Sequence, residues 1–229
     1  MVVKVFVDVL SQPCRSVMLF LKNSKIPHEF VYVELLKDEH KKPEFQAINP
    51  MMQVPAMKDG DFCLSESVAI LRYLTMKYPN DYPDNWYPAD IEKRAKVDEY
   101  MAFQHQGIRH PLEELAYEEA WPYPVMLNKP IDEEAVKKYH EHTKGKLDIF
   151  AKTWLGKKPF LLGAEVSFAD VMAVNELVQS TISRDPVTDS NDTLKAYMER
   201  VRDALNPVFD ELSADVYKWR DEFIAKNKK

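Results

Sequence analysis

A serine that follows an apolar run is the first residue of this sequence that could do chemistry. Ser11 opens the pentapeptide Ser11-Gln12-Pro13-Cys14-Arg15, in which Pro13 suits the first turn of a helix because its missing N–H is not needed there. The positive end of a helix dipole favours an anion beside the helix N-terminus. Ser11 is therefore either a plain helix cap or a hydroxyl donor to an anionic ligand atom.

Two other chemistries are disfavoured at this pentapeptide. A nucleophilic serine needs a base and an oxyanion site, and neither a GxSxG elbow nor a nearby histidine occurs here. Dithiol exchange needs a second cysteine in the motif, but the chain has only Cys14 and Cys63 and no CxxC. Both cysteines are interpreted as packing residues. No Cys/His set has zinc spacing, so no metal site is predicted.

Two further segments could bind polar groups of a ligand. Pro55 marks a sheet edge, a bulge or a cis bond, and a cis bond would expose the backbone N–H and C=O of Val54 to the main chain of a peptide ligand. Ser65-Glu66-Ser67 precedes a periodic apolar segment, and Ser65 is predicted to cap that helix. Ser67 could also bind a carboxylate at the helix N-terminus, and Glu66 could bind an ammonium group.

Polar residues also stand out in the second half of the chain. The motif SFAD (residues 167–170) is a capping-box variant, which predicts a structural role for Ser167 and Asp170. Gln104, His105 and Arg109 fall in one predicted helix, and residues 105 and 109 lie on one face. Their types alone favour a solvated helix face.

The first eighty residues predict a small α/β layer that would position these groups. Valines at alternating positions from Val3 to Val9 indicate a strand, and Phe30–Leu35 indicates a second strand parallel to it. Asp59-Gly60 predicts a tight hairpin turn. The hairpin strands and the helix after them are predicted at Val54–Lys58, Asp61–Leu64 and Glu66–Lys77. The order is β-α-β, a loop, then β-β-α.

The pattern changes after Pro79, where prolines and polar residues predict a linker over residues 80–88. No convincing strand follows, and helical periodicity continues to the end of the sequence. We therefore expect an α/β domain over residues 1–79 and an all-α domain over residues 89–229. The predicted helical segments are 89–118, 132–155, 167–183, 192–206 and 208–226, with a break at 122–124.

Composition and charge narrow the class of protein. The 229 residues are 45% hydrophobic and 30% charged, which is typical of a globular chain. The net charge of -6 argues against nucleic acid or an anionic membrane as a partner. The sequence shows no basic leader and no apolar run long enough to span a bilayer, and two cysteines suit a reducing compartment. A cytoplasmic location is expected.

Four separated motifs, taken in order, resemble those of the cytosolic glutathione transferases. They are SQPCR (11–15), NPxxxVPA (49–56), DGDFCLSESVAILRYL (59–74) and GAEVSFAD (163–170). LSQPCR together with KVDEYMAFQH (96–105) resembles the theta class in particular. The resemblance covers essentially the whole chain. It implies a thioredoxin-like N-terminal domain, an all-helical C-terminal domain, a homodimer, and glutathione as co-substrate with no permanently bound cofactor.

The resemblance also implies roles for individual residues. Ser11 matches the theta-class catalytic serine, and Arg109 matches an arginine that reaches the sulfur region in some theta enzymes. Val54–Pro55 matches the family's cis-proline turn, and Asp170 matches its helix cap. Positions that match glutathione-binding residues, or lie beside them, are His40, Lys41, Gln53, Val54, Glu66, Ser67 and Gln104.

Two departures from the family pattern concern the ligand site. Theta relatives often carry a lysine where this chain has Gln53, and a neutral amide supplies no charge. Glutathione affinity would then be weaker unless Lys41 or His40 compensates. The chain also ends at Lys229, short of the extra helix of vertebrate theta enzymes, so a more open substrate site is expected.

The expected reaction is attack of the glutathione thiolate on small hydrophobic electrophiles such as halides and epoxides, together with reduction of organic hydroperoxides. Hydrogen bonding from Ser11, the dipole of the first helix and the charge of Arg109 would all favour the thiolate. Leu112, Leu115 and Tyr117 are candidates to line an apolar electrophile pocket. The alternative function is a transferase-like protein that binds ligands or partners without turnover.

Overall fold

The computed structural model describes residues 2–119 and 129–227. The chain divides into two units, Met1–Asp84 and Asn85–Lys229, of which the first is α/β and the second is helical. This order confirms the predicted fold class, a thioredoxin-like domain followed by an all-helical domain. The predicted boundaries, 1–79 and 89–229 with a linker over 80–88, stay a prediction.

Alternating valines form the strand on which the sheet of the α/β unit is built. The strands are β1 (Val3–Val7), β2 (His28–Tyr32), β3 (Ala56–Asp59) and β4 (Phe62–Ser65). Their order is β2-β1-β3-β4, with β1 parallel to β2 and antiparallel to β3, and β3 antiparallel to β4. Val3, Val5 and Val7 are fully buried on one face, as side chains with a period of two require.

Helices cover both faces of this sheet. They are α1 (Gln12–Lys22), α2 (Pro43–Gln46) and α3 (Ser67–Lys77), and single 3₁₀ turns form at Leu35–Lys37 and Glu39–Lys41. Phe45 of α2 packs edge-on against Phe6, with ring centroids 6.0 Å apart. α1 and α3 contact each other and contact β1 and β3 respectively.

Several predicted boundaries are wrong in this unit. β1 ends at Val7 rather than Val9 because Asp8 begins a turn, in which its carbonyl accepts from the N–H of Ser11 at 3.1 Å. β2 ends at Tyr32 rather than Leu35, which instead begins a 3₁₀ turn. The hairpin turn is shifted by one residue from its predicted position, to Gly60 and Asp61.

The predicted helix cap at Ser65 is also wrong. Ser65 pairs with Ala56 at the end of β4, so the strand extends to the residue expected to begin the helix. Glu66 is the N-cap residue instead, with a φ of 70° that a non-glycine residue rarely adopts.

The helical unit contains the helices that the periodicity predicts, with one interruption. They are α4 (Ile91–Gln104), α5 (His110–Glu119), α6 (Glu133–Phe150), α7 (Phe168–Ser180), α8 (Asp192–Leu205) and α9 (Val208–Asn227). The helix expected over 89–118 is divided by a π-helical turn at His105–Arg109, and a second π turn, Ala151–Leu155, follows α6. The predicted break at 122–124 lies outside the described residues.

The core of the helical unit forms around α7, which is buried at every position from Phe168 to Val178. Trp86 and Tyr87, near the start of the unit, pack on Phe168 with ring centroids 6.2 and 5.5 Å away. Across residues 2–119 and 129–227, no helix is both long and apolar enough to traverse a bilayer.

Candidate functional site

Strand direction and register bring the candidate residues of the α/β unit to one end of the sheet. Val7 pairs with Tyr32, Phe6 with Ala56, and Ala56 with Ser65. The carboxyl ends of β1, β2 and β4 therefore lie beside the amino end of β3. The segments that leave or enter the sheet there carry Ser11, His40, Lys41, Gln53, Val54, Glu66 and Ser67.

Ser11 is the N-cap residue of α1, but its hydroxyl does not cap the helix. Its φ and ψ are −82° and 117°, and its carbonyl accepts from the N–H of Arg15 at 3.0 Å, while its side chain makes no cap hydrogen bond. The residue is buried, with 9% of its surface exposed. The hydroxyl thus stands at a helix N-terminus without the bond that a plain cap would make.

The side-chain contact of Ser11 is with the thiol of Cys14. Burial raises the pKa of the Cys14 thiol to about 12, although hydrogen bonds with the Ser11 side chain and the Asp8 backbone lower it. Cys14 is therefore a protonated, unreactive thiol at neutral pH, in agreement with a packing role. A neutral thiol is a weak hydrogen-bond partner, so an anionic acceptor can replace it.

The N-terminus of α3 lies at the same end of the sheet. The first N–H groups of a helix have no partner within it, and the helix dipole favours a carboxylate there. Ser67, the first residue of α3, is 2% exposed, and the exposed Glu66 makes no cap hydrogen bond with its side chain. This arrangement suits a ligand that has a carboxylate next to an ammonium group.

Val54 lies directly before the sheet and offers its backbone. The Val54–Pro55 peptide bond is cis, as the resemblance implies. β3 begins only at Ala56, so the strand ladder does not use the N–H and C=O of Val54. Asn49 closes the loop before it, donating from Nδ2 to the carbonyl of Gln53 at 2.7 Å. The side chain of Gln53 is exposed.

The two groups expected to compensate for Gln53 differ in charge. Desolvation, followed by the Lys41 charge, lowers the pKa of His40, so its ring is neutral at pH 7. His40 Nδ1 is buried and has no hydrogen-bond partner among the described residues. Lys41 is charged but pairs with Asp38, Nζ to Oδ1 at 2.9 Å, on an exposed surface. His40 therefore offers a hydrogen bond, and Lys41 offers the positive charge.

In the helical unit, the π turn aligns three polar residues on one face. Tyr100 and Gln104 are four residues apart on α4, and Arg109 follows Gln104 by five, the repeat of a π turn. Arg109 Nε donates to Glu176 Oε1 of α7 at 2.7 Å, with the two side chains 12% and 0% exposed. Arg109 Nη1 lies 3.3 Å from His105 Nδ1.

This face is buried rather than solvated, so the expectation of a solvated face is wrong for Gln104 and Arg109. Gln104 is fully buried, and its amide N and O have no hydrogen-bond partner in the part of the chain described. Desolvation lowers the pKa of Arg109, but the Glu176 carboxylate outweighs this effect and raises it overall. Arg109 is therefore charged, and Glu176 compensates its charge.

The three candidates for an electrophile pocket have different environments on α5. Leu112 and Leu115 are each 1% exposed and contribute to the helical core, whereas Tyr117 is 39% exposed. Of the three, Tyr117 presents the most surface to a ligand, and the pocket stays a prediction.

Asp170 links α7 to the segments around it. It is fully buried, and it accepts hydrogen bonds from the N–H groups of Leu161 and Ser167 and from the hydroxyl of Tyr197, at 2.8 to 2.9 Å. Burial raises the pKa of Asp170, although these hydrogen bonds lower it. The geometry supports the structural role predicted for Ser167 and Asp170.

Three further residues shape these sites and were not predicted to do so: Asp8, Asn49 and Glu176. Asp8 and Asn49 each accept a hydrogen bond from the N–H two residues on, the pattern of an Asx turn, which an acidic or amide residue after an apolar run can signal. Glu176 is a lone charge in an apolar helical run, and such a residue needs a buried partner. No group of three or more metal-ligating side chains was found among the residues described.

The fold and these groups indicate the kind of ligand that the α/β unit can bind. An α/β unit presents two helix N-termini and a cis-proline turn at one end of its sheet, and an all-helical unit follows. Helix N-termini suit a carboxylate, and the free Val54 backbone suits the main chain of a short peptide.

Comparisons with known proteins specify the class further. Residues 1–76 match the family model described as "Glutathione S-transferase, N-terminal domain", and residues 116–204 match "Glutathione S-transferase, C-terminal domain". Mouse glutathione S-transferase theta-1 is 39% identical over 100% of this chain and 96% of its own length. The human theta-1 protein is 37% identical over 95% of this chain and 90% of its own.

Solved structures agree with the sequence comparison. Human glutathione S-transferase T1-1 in its apo form is 34% identical, with a TM-score of 0.84 over 97% of this chain and 99% of that one. A human theta-class transferase in complex with the glutathione conjugate of 1-menaphthyl sulfate is 34% identical, with a TM-score of 0.90 over 99% of this chain and 91% of that one. The chain belongs to the theta class of the glutathione S-transferase family, which uses glutathione as co-substrate.

Proposed function

We propose that this protein conjugates the glutathione thiolate to electrophilic carbon in small hydrophobic molecules, with the Ser11 hydroxyl donating a hydrogen bond to the thiolate. The observation that carries the proposal is the hydrogen bonding of the Ser11 hydroxyl. Its hydroxyl is at the N-terminus of α1, makes no cap hydrogen bond, and lowers the pKa of the one thiol it contacts, against the larger effect of burial. The sulfur of bound glutathione would take the place of that thiol.

The magnitude of the required effect is modest. A free thiol has a pKa of about 8.5, so only a few per cent is thiolate at neutral pH. Each unit by which the pKa falls requires about 1.4 kcal/mol of preferential stabilisation of the anion. A hydrogen bond to a charged group contributes about 1.5–3 kcal/mol, which corresponds to roughly one to two units. The dipole of α1 acts in the same direction.

The rest of glutathione would be held by groups at the same end of the sheet. Ser67 and the N-terminus of α3 suit the α-carboxylate of the γ-glutamyl residue, and the exposed carboxylate of Glu66 suits its ammonium group. The Val54 backbone suits the cysteinyl main chain. His40, Lys41 and Gln53 would serve the glycyl carboxylate. For Gln104 and Arg109, a role in ligand binding is proposed from the family resemblance alone.

The chemical steps follow from a thiolate nucleophile. With a halide, an S–C bond forms and the halide leaves with the bonding electrons. With an epoxide, an S–C bond forms while the ring C–O bond breaks, and the resulting alkoxide takes a proton from water. With an organic hydroperoxide, two glutathione molecules are oxidised to the disulfide while the hydroperoxide is reduced to an alcohol and water. Leu112, Leu115 and Tyr117 are proposed to shape the electrophile side.

Two further properties are proposed from family membership. We propose a homodimer, as is general among such transferases, and a cytoplasmic location, for which reduced, non-bridged thiols at Cys14 and Cys63 are suitable.

The test is Ser11→Ala, measured as turnover with a panel of haloalkanes, epoxides and cumene hydroperoxide. Loss of one hydrogen bond to the anion should lower kcat by about 10- to 100-fold and leave the dissociation constant of glutathione nearly unchanged. Ser24→Ala, in which the lost hydroxyl lies after α1 and donates to Leu21, is the matched control and should keep full turnover.

Unchanged turnover in the Ser11 variant would remove Ser11 from its assigned role. Tight binding of glutathione by the wild-type protein without turnover of any compound in the panel would favour the alternative, a transferase-like binding protein.

A further inference from the structure

The carboxylate of Asp8 joins two parts of the proposed glutathione site. It is 8% exposed and lies just after β1. Oδ1 accepts from the N–H of Leu10 at 2.8 Å, and Oδ2 accepts from the N–H of Leu35 at 2.8 Å. One buried side chain thus bonds the turn that carries Ser11 and a segment 27 residues later in the chain.

On the sulfur side, the turn from Asp8 to Ser11 is fixed at both ends. The Asp8 carbonyl accepts from the N–H of Ser11 at 3.1 Å. Arg15, fully buried in the first turn of α1, donates from Nη1 to the carbonyls of Val9 at 2.8 Å and Leu10 at 3.1 Å. With the Leu10 N–H bound to Asp8, the turn has little freedom to move the Ser11 hydroxyl.

On the other side, the Leu35 bond fixes the start of the segment that carries His40 and Lys41. Leu35 begins the first 3₁₀ turn, and Glu39 begins the second. Glu39 closes the segment on itself: its Oε2 accepts from the Glu34 N–H at 3.0 Å, and its own N–H donates to the Glu34 carbonyl at 3.2 Å. The hydrogen bond at Leu35 therefore also restrains the position of His40, because the segment between them is closed by its own hydrogen bonds.

A carboxylate is the group that this connection needs. Both partners are backbone N–H donors, so both oxygens of residue 8 must accept, as an ionised carboxylate does. In an asparagine, one acceptor is replaced by an NH₂ donor that faces a second donor, and one of the two bonds is lost.

We propose that Asp8 is a positioning residue, which holds the Ser11 turn and the His40 segment at a fixed separation so that one glutathione molecule can engage both. This inference rests on the proposed function, because it takes both groups to be ligands of glutathione. Asp8 does not touch the reacting atoms in this scheme. It acts through the two backbones that it joins.

Two variants test the connection from opposite ends. Asp8→Asn removes one acceptor. Leu35→Pro removes the donor and leaves Asp8 intact. Proline is tolerated at position 35 because it is the first position of a 3₁₀ turn and because the ψ of 105° at Glu34 suits a following proline. Leu35→Ala keeps the N–H and controls for the side chain, and Asp61→Asn controls for the loss of an exposed aspartate in the same unit.

Isothermal titration with glutathione and amide hydrogen exchange give the readout. We expect both test variants to bind glutathione about tenfold more weakly, as the loss of a hydrogen bond to a charged group predicts, while both controls bind as the wild type does. The Leu35 amide should exchange faster in Asp8→Asn than in the wild type. A rise in the ionisation midpoint of the bound thiol in Asp8→Asn would report displacement of Ser11, because loss of the Asp8 charge by itself favours a nearby thiolate and lowers the midpoint.

The proposal would be overturned if both variants melted at a lower temperature but bound glutathione as the wild type does, with a thiol midpoint in Asp8→Asn that is unchanged or lower. Asp8 would then only stabilise the fold. If Asp8→Asn does not fold, the affinity of Leu35→Pro for glutathione tests the proposal by itself. If the wild-type protein binds glutathione without lowering the pKa of its thiol, the mechanism proposed for Ser11 is contradicted. The glutathione affinities of the variants would still test the positioning role of Asp8.

Discussion

The hydroxyl of Ser11 and the thiol of Cys14 lie one helical turn apart, yet they suit opposite roles. Cys14 is buried and its thiol stays protonated, so its sulfur is not a nucleophile at neutral pH. Ser11 can donate a hydrogen bond and is not used as a cap. The residue types in SQPCR left both a cap and a donor open for Ser11, and the contacts of the side chain favour the donor.

The ion pair with Glu176 weakens the electric field of the Arg109 side chain. Its guanidinium is held by Glu176, and the pair carries no net charge, so its field falls off faster than that of a lone cation. The Arg109 guanidinium is therefore better suited to a directed hydrogen bond than to acting as a free positive charge.

The Arg109–Glu176 pair should couple strongly in folding. Glu176→Gln leaves a buried cation unpaired, and we expect it to lower the free energy of unfolding by about 3–5 kcal/mol, as does the loss of one partner from other buried pairs. The double variant Arg109→Met, Glu176→Leu should be more stable than the sum of the two single changes predicts. Urea denaturation of Arg109→Met, Glu176→Leu and the double variant measures this coupling, and Glu176→Gln is measured in the same way.

The control is an ion pair on the surface of the same helical unit. Lys96 and Glu99 are 2.7 Å apart but mostly exposed, so Glu99→Gln should leave the urea midpoint nearly unchanged. Simple additivity of the Arg109 and Glu176 changes would mean that the pair contributes no more than an exposed one.

The π turn at His105–Arg109 determines which residues of the helical unit share a face with Gln104. A π turn inserts one residue into a helix, so it shifts the face on which later residues lie. Apolar periodicity across 89–118 is compatible with an uninterrupted helix, and an inserted residue changes that pattern too little to be read from the sequence. For this reason the buried face of Gln104 and Arg109 was not predicted.

Gly107 is the residue of this turn that cannot accept a side chain without a shift. A Cβ at position 107 would overlap the ring of Phe103, which packs against Trp154 with centroids 4.9 Å apart. We expect Gly107→Ala to destabilise the protein by about 1–3 kcal/mol through overpacking. Thermal or urea unfolding measures the change, and adding Phe103→Leu should recover part of it.

Gly145 provides the matched control on α6. A Cβ there meets no atom within 4 Å, so Gly145→Ala should stabilise the protein by about 0.4–1 kcal/mol, the gain of replacing glycine in a helix. If Gly107→Ala were as stabilising as Gly145→Ala, the close packing of Phe103 on the turn would be contradicted.

At the scale of the whole molecule, the sequence predicts architecture better than it predicts the ends of elements. Alternating valines identified β1, and the loss of strand patterns after Pro79 identified the helical half, because each signal extends over many residues. The start of α3 was predicted one residue too early, because Ser65 is paired in β4 and the cap falls on Glu66, with a positive φ that glutamate does not favour by itself. Long-range contacts such as Asp8 to Leu35 leave no local pattern at all.

The arrangement of the site residues also depends on long-range contacts, which leave no local pattern in the sequence. Ser11, Val54, Glu66 and Ser67 could be proposed one by one from local chemistry and the family resemblance. Their arrangement at one end of the sheet follows from a strand register that no single segment contains.

The most direct test of the account is a titration of glutathione bound to the wild-type protein, followed by the ultraviolet absorbance of the thiolate. We predict an ionisation midpoint about one to two units below that of free glutathione, so that roughly a quarter to three quarters of the bound thiol is thiolate at pH 7, and a return towards the free value in Ser11→Ala. A bound thiol that ionises at the same pH as in plain buffer would contradict it.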